Sequence, residues 1–334
     1  MAFIDRIKPA PVGGGFAMDE YWVWCGSVIE GEDGRYHMFA ARWPKELPFF
    51  EGYEVHSEIV RAESETPEGP YEFREVVLPE RGEDYWDGRM THNPTVRVYK
   101  RHYLLYYIGA TYVGDAPTIQ ELRDKSSPKT GESYNNIRIG LAVSKSVTGP
   151  WQRMDEPILM PRAGKWDSKV VTNPAPCVLK DGRVFLYYRS NTPDGLRIGL
   201  AGADHFGGPY ERLEDDPVIE FGDGGHVEDP FVWQTGKGFE MLAKDMSGSI
   251  TGEKHAGVHA LSKDGVAWEL APTPKAYSRT VRWDDGTETT QGSLERPQLL
   301  IKRERPTHLF AATGDGPGGF RNATRTWNMV MPLG

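Results

Sequence analysis

The chain has 334 residues, 38 % of them apolar and 26 % charged, with a net charge of −9. That length buries a sizeable core as one large domain or two ordinary ones, and an acidic balance without any Lys/Arg block excludes a nucleic-acid surface. No apolar run approaches the ~18 residues of a membrane helix, residues 1–6 lack the apolar stretch of a secretory signal, and two cysteines are too few for a disulfide framework, so a soluble, cytoplasmic protein is expected.

A short aromatic or apolar segment recurs along the chain at residues 36–40, 103–107, 184–188, 239–243 and 308–312. Before each lies a lead-in: Trp24-Cys25-Gly26, His92-Asn93-Pro94, Thr172-Asn173-Pro174, Glu228-Asp229-Pro230 and Glu295-Arg296-Pro297. Four of the five carry Pro at the same place, which suits the first residue of a strand, where the missing N–H costs no ladder bond. A third strand follows, clearest in Arg138-Ile139-Gly140-Leu141-Ala142 and Arg197-Ile198-Gly199-Leu200-Ala201. Each unit closes on a turn and an aromatic, and the closing residues Tyr71, Trp151, Tyr210 and Trp268 are 80, 59 and 58 residues apart. That period suits four antiparallel strands plus loops, the unit of a propeller blade.

Five lead-ins meet only four closing aromatics, and a single strand near residues 327–331 remains after the fifth aromatic segment. The N-terminus, around residues 2–7, is the element left to supply the missing outer strand, a clasp that removes an exposed sheet edge. The expected fold is all-β: one domain over residues 1–334, a five-bladed β-propeller with four-stranded antiparallel blades. Helices of any length are not expected, the best short one covering residues 118–125. Two β-sandwich domains are the alternative, but no linker divides the chain and the repeats run through its middle.

In such a ring the first strand of each blade lines the axis, so the lead-ins bring His92, Asn93, Thr172, Asn173, Glu228, Asp229, Glu295 and Arg296 to one funnel. Several carboxylates beside a His and an Arg are the chemistry of glycosidic-bond cleavage, in which one acid protonates the leaving oxygen and a second carboxylate serves as base or nucleophile. A third carboxylate raises the acid's pKa by like-charge proximity. Strand alternation would send only one of Glu228 and Asp229 into the funnel, leaving the other to bond a neighbouring blade. Glu295 beside Arg296 also reads as an inter-blade pair, and His92 as a core histidine on a backbone carbonyl. Asn93 and Asn173, each before Pro, read as turn initiators that face the funnel. Cys25 reads as a small buried hydrophobe.

Trp22, Trp24, Trp43, Trp86 and Trp283 are near enough to offer flat surfaces to the C–H face of a sugar; Trp24 and Trp86 fit best. Arg42, Arg89 and Arg279 suit either a carboxylate or sulfate on a substrate or ordinary salt bridges. His226, His255 and His259 make no metal signature, and no cofactor follows from the sequence. A single divalent cation held in the central channel by His92 and waters is compatible with these residues. Insertions at residues 44–57, 109–136 and 275–293 are expected to wall the funnel into a closed pocket.

The repeated Asn-Pro and Asp-Pro lead-ins, each followed by a hairpin into an aromatic strand, resemble the five-bladed propeller glycosidases: glycoside hydrolase family 43 and relatives such as families 32, 62, 117 and 130. Asp229 matches the Asp-Pro aspartate of the fructosidase branch, Glu228 and Glu295 its Glu-x-Pro glutamate, and Val227-Glu228-Asp229-Pro230 the Glu-Asp-Pro segment of the mannoside phosphorylases. The first-blade Asp that serves as base in family 43 is replaced by Cys25, with Gly26 for its Pro. Asp19, Glu20 or Asp87 then supplies the base, or the mechanism differs, or activity is lost. The resemblance implies an exo-acting hydrolase of oligosaccharides from plant or algal polysaccharides, with Glu295 or Glu228 as acid, Asp229 as base or modulator, and His92, Asn93, Asn173, Arg296, Arg42, Trp24 and Trp86 on the substrate. A phosphorylase would need two or three basic residues beside the carboxylates; a polysaccharide lyase or a non-catalytic sugar-binding propeller are the remaining alternatives.

Overall fold

A computed structural model describes residues 1–219, 221, 226–316, 319 and 322–334. Blade I holds β1 (Tyr21–Glu30), β2 (Tyr36–Pro44), β3 (Glu58–Ser64) and β4 (Glu72–Leu78). Blade II holds β5 (Met90–Tyr99), β6 (His102–Ala110), β7 (Arg138–Ser144) and β8 (Gln152–Arg153). Blade III holds β9 (Thr172–Val178), β10 (Val184–Thr192), β11 (Gly195–Ala203) and β12 (Glu211–Arg212), and blade IV holds β13 (Val227–Thr235), β14 (Gly238–Asp245), β15 (Gly257–Ser262) and β16 (Trp268–Tyr277). A small hairpin, β17 (Thr280–Arg282) and β18 (Glu288–Thr290), precedes blade V, which holds β19 (Ser293–Lys302), β20 (Arg305–Gly314) and β21 (Thr326–Pro332). All pairings within the blades are antiparallel, and the inner strands touch in the cyclic order β1, β5, β9, β13, β19 and back to β1. The ring is closed.

Each blade is sandwiched between two others, so both faces of its second strand are buried. That is why these strands read as unbroken apolar runs instead of alternating ones. In β6, Leu104, Tyr106 and Ile108 pack toward blade III, while Tyr103, Leu105 and Tyr107 pack toward blade I. In β10, Leu186 and Tyr188 face blade II and Tyr187 faces blade IV. Among the described residues the hydrophobic core is thus five inter-blade layers around the axis, with two smaller clusters beside α1.

The N-terminus clasps blade V, though not as a strand over residues 2–7. Residues Ile4–Arg6 form a 3-10 turn, and pairing with β21 begins at Ile7, opposite Leu333. Lys8 N–H donates to the Pro332 carbonyl (2.8 Å), Gly334 N–H to that of Arg6 (2.8 Å), and a second bridge joins Phe16 to Asn328. Phe3 is buried in the layer between blades IV and V, its ring centroid 6.4 Å from that of Trp233.

Among the described residues three α-helices lie in insertions. The expected one forms at α2 (Ile119–Arg123), its start fixed by a capping box between Thr118 and Glu121. Two others were not legible: α1 (Phe49–His56) and α3 (Pro128–Asn135), the first rich in aromatic residues of indifferent helix propensity. Packing holds α1 in place, with Phe49 seated edge-on against Trp22, Trp24 and Trp43. No helix among the described residues is long and apolar enough to cross a membrane.

Phe3→Ala removes the anchor of the clasp, and the expected loss is about 3–5 kcal/mol of unfolding free energy. Urea denaturation measures it; a change below about 1 kcal/mol would mean that the N-terminal segment does not hold the ring closed.

Candidate active site

At the start of every inner strand the ladder breaks in the same way. Between Trp24 and Ser27, His92 and Thr95, Thr172 and Ala175, Glu228 and Phe231, and Glu295 and Gln298, two residues oppose one on the second strand. These are β-bulges, and the first bulged residue is left-handed in all five blades: Cys25 (φ 57°), Asn93 (51°), Asn173 (51°), Asp229 (57°) and Arg296 (53°). The four prolines therefore occupy bulges inside the strands, not the first strand positions expected of them. In blade I the amide that Pro lacks is put to use: Gly26 N–H donates to Asn328 Oδ1 (2.7 Å). A Cβ there would meet Asn328 and Met38 at 2.7 Å, which explains the glycine.

The left-handed residue rotates the chain so that it and its predecessor both line the axis. Alternation is defeated, and Glu228 and Asp229 share one cavity with Glu295, contrary to the expectation from strand alternation. The five bulge residues form a hydrogen-bonded arc. Cys25 S–H donates to Asn93 Oδ1 (2.8 Å), Asn93 Nδ2 to Asn173 Oδ1 (2.9 Å), and Asn173 Nδ2 to Asp229 Oδ1 (2.5 Å). Arg296 N–H closes on Asp229 Oδ2 (3.1 Å) from the other side. Asn93 and Asn173 are thus axial linkers, and Cys25 is a donor whose thiol burial keeps protonated.

Above this arc the cavity, of about 220 Å³, is lined by Trp24, His92, Thr172, Glu228 and Glu295 from the inner strands. The second strands add Arg189 and Lys244, which sequence reasoning missed. Lys244 pairs in register with Glu228 across the blade IV hairpin, and its Nζ lies 2.8 Å from Glu228 Oε2, 3.1 Å from Glu295 Oε1 and 3.6 Å from Asp229 Oδ2. Arg189 Nε is 3.2 Å from Glu228 Oε1, and Arg296 Nη1 is 3.6 Å from Asp229 Oδ1. Their signal was present: a charged residue continuing an apolar run, as in Tyr187-Tyr188-Arg189 or Leu242-Ala243-Lys244, must find a partner when both strand faces are buried.

Burial raises the Glu228 carboxyl, but Lys244 and Arg189 outweigh it and bring the pKa down to about 2. Asp229 moves up, through burial and the neighbouring Glu228. Lys244 is held charged, because its three carboxylates overcome the burial that would discharge it. Glu295 Oε1 accepts from Ser293 Oγ (2.6 Å) as well as meeting Lys244, while its Oε2 is bonded to none of the described residues. His92 is neutral, with burial and then Arg296 lowering it to about 3, and its Nδ1 lies 2.7 Å from Ser57 Oγ. His255, at the rim, is brought down to about 4 by burial and then Lys244.

Much of the remaining lining is aromatic. Tyr53 stacks on His92 at 4.9 Å and 29°, and Trp43, Phe49, Phe50 and Tyr134 complete it. Insertions 44–57 and 109–136 therefore do wall the pocket, through α1 and α3. Insertion 275–293 does not; it forms the β17–β18 hairpin beside blade V.

Three expected site residues lie elsewhere. Asp87 is fully buried between Arg81 (2.5 Å) and Arg153 (3.2 Å) and accepts from Tyr107 OH (2.7 Å). Trp86 stacks on Tyr107 at 5.8 Å. The same unit recurs one blade on, where Asp167 meets Arg162, Arg212 and Tyr188 OH while Trp166 stacks on Tyr188. A feature repeated in consecutive blades is structural. Arg42 is bound to Glu58 (2.9 Å) and covered by Tyr21 and Phe73, outside the cavity. Among the described residues no group of three or more His, Cys, Asp or Glu side chains is arranged to hold a metal ion.

No family model and no curated protein matches the chain. Solved structures do share its fold. A family 117 glycoside hydrolase of the marine bacterium Zobellia galactanivorans superposes with a TM-score of 0.66 at 19 % identity, covering 98 % of this chain and 89 % of that one. An α-L-arabinofuranosidase of Lactobacillus brevis gives 0.58 at 12 % identity over 99 % and 94 %. The arabinanase Arb43A of Bacillus subtilis gives 0.57 at 14 % identity over 95 % and 96 %. The five-bladed architecture anticipated from the repeats is therefore one that these proteins also adopt.

Lys244→Met leaves three buried carboxylates without their shared cation, and the expected loss is about 3–5 kcal/mol at pH 7. Glu228 has its folded pKa depressed below the unfolded value of ~4.3, so its stabilisation is complete above that pH and lost as pH falls toward 2. The gap between wild type and variant should therefore narrow over that window. Denaturation curves at pH 7 and pH 3 check it; an unchanged gap would contradict the clamp.

Proposed function

We propose that the chain is a glycoside hydrolase that removes terminal sugars from oligosaccharides. The observation that carries the reading is the Lys244 clamp at the base of a cavity whose other wall is aromatic. A sugar ring has an apolar C–H face, suited to Tyr53 and Trp24, and a polar edge, suited to the carboxylates. At about 220 Å³ the cavity falls below the ~300–1,000 Å³ of pockets for larger ligands, which favours one terminal unit over a polymer threading through.

Glu228 and Glu295 take the two carboxylate roles. Glu228 has a cation on each oxygen and remains ionised, as a nucleophile or a stabiliser of positive charge at the anomeric carbon must. Glu295 keeps Oε2 unengaged and is the general acid, giving its proton to the leaving oxygen and then activating water. Asp229 receives hydrogen bonds from both axial neighbours and acts as modulator and anchor. Neutral His92 and Arg296 position the substrate. Because both glutamates touch one ammonium, at 2.8 and 3.1 Å, their contacting oxygens lie closer than the ~6.5 Å lower limit of inverting enzymes, which favours a double displacement with retention.

The basic residues that a phosphorylase would need are present as Arg189, Lys244 and Arg296, but each is already engaged by a carboxylate. A phosphate arriving there would face three acidic side chains, so water is the favoured acceptor.

A panel of aryl glycosides and oligosaccharides, with and without phosphate, identifies the substrate. Glu295→Gln should then lower kcat by about 10²–10⁴ on poor leaving groups and far less on activated aryl glycosides. Glu228→Gln should abolish turnover of both. Proton NMR of the first-formed sugar should show retained configuration; inversion would overturn the assignment of Glu228 as nucleophile, and full activity in both variants would overturn the site.

A further inference from the structure

Beside blade V lies a second hollow, of about 400 Å³, larger than the axial cavity and sharing none of its lining residues. Trp283, at the head of the β17–β18 hairpin, and Trp327 of β21 form its aromatic surfaces. Both are half-buried, with part of each ring packed on the layer between blades IV and V. The polar lining is organised by its own hydrogen bonds. Trp283 Nε1–H and Gln291 Nε2 both donate to Thr289 Oγ1 (2.7 Å each), and the Asp315 carboxylate accepts from the N–H groups of Thr324 (2.8 Å) and Arg325 (3.0 Å).

On one side the hairpin is tied to the N-terminal segment, where Ala10 N–H donates to the Arg282 carbonyl (2.8 Å) and Asp284 N–H to that of Ala10 (2.9 Å). It adds no strand to any blade, only Val281 and Trp283 of it reach the core, and Thr287, Thr289 and Thr290 are exposed. What it builds is the Trp283 indole surface among hydroxyl, amide and carboxylate groups, facing Trp327, whose ring carries the Arg325 guanidinium at 5.1 Å from its centroid. Lipid would require a continuous apolar face, and an anion would require an excess of cations; neither is present among the lining residues. An indole face at Trp283 with balanced donors and acceptors around it matches a ring that has C–H faces and hydroxyl edges.

We infer that this hollow is a second saccharide site, holding a neutral oligosaccharide away from the reacting carboxylates. Gln291 lines it and lies four residues before Glu295, a length of chain that spans at most about 14 Å. Both sites also open at the same end of blade V, since Asp315 directly follows β20 and Trp327 is the second residue of β21. A glycan held here keeps its terminal unit near the axial pocket and raises its effective concentration there. The choice of neutral sugars rests on the glycosidase reading of that pocket.

The test uses the full chain on a printed array of neutral plant and algal oligosaccharides, with the strongest binder carried into calorimetry. Glu295→Gln should bind as well as wild type, whereas Trp283→Ala should bind at least tenfold more weakly with unchanged kcat/KM on a small aryl glycoside. Should Trp283→Ala unfold, Thr290→Lys fills the hollow from an exposed position and should weaken binding equally. Binding that survives both substitutions, or no array member bound at all, overturns the proposal. Binding lost on Trp283→Ala in a protein without any hydrolytic activity would instead keep this site and sink the axial reading.

Discussion

The left-handed bulge residue at the axial end of each blade is the constraint on which the rest depends. Left-handed backbone costs an ordinary side chain roughly 1–2 kcal/mol, and only Asn and Asp adopt it with ease. Asn93, Asn173 and Asp229 fit that preference; Cys25 and Arg296 do not. Their strain is offset by the arc of hydrogen bonds, each worth about 1 kcal/mol and more where a charge takes part. The arc has a direction, since every link donates toward Asp229. This accounts for the thiol in blade I. A carboxylate at that position would demand a donor from Asn93, turning both amides round and setting Asn173 Oδ1 against Asp229, acceptor against acceptor. With Asp229 accepting at the terminus of the arc, position 25 has to donate.

The blades were legible because their physics is local. A strand buried on both faces must be apolar throughout, so β6 and β10 announce themselves, and in four blades a lead-in proline marks the inner strand. The bulge was not legible. Register is a property of two strands, and nothing in Glu228-Asp229-Pro230 alone says that the first two residues point the same way. Without it, alternation forced a choice between two residues that in fact share the cavity. Arg189 and Lys244 escaped for a related reason: attention to the inner strands overlooked the residues paired with them across the hairpin. Asp87 and Trp86 show the opposite error. Their Trp-Asp pair is repeated at Trp166-Asp167 with the same Tyr and Arg partners, and repetition from one blade to the next marks a structural device.

The candidate site, by contrast, lies where the five-fold pattern is broken. The residues preceding the bulge are Trp24, His92, Thr172, Glu228 and Glu295, with no two adjacent blades alike until IV and V. Acidic groups are thereby confined to one side of the axis, next to the two cations supplied by second strands. The other side receives α1 and α3 from insertions in blades I and II, which replace the missing polar groups with rings.

That polarity has consequences for chemistry. Lys244 gathers three carboxylates that would otherwise repel, and in doing so it makes them unequal: Glu228 is pulled down to about 2, Asp229 goes up, and Glu295 is left with one oxygen unengaged. Acid–base catalysis requires such inequality between neighbouring carboxyls, since two identical ones could not hold opposite protonation states at one pH. A single buried cation, placed off-centre by the register of one hairpin, is what turns a symmetric ring into a site with a direction.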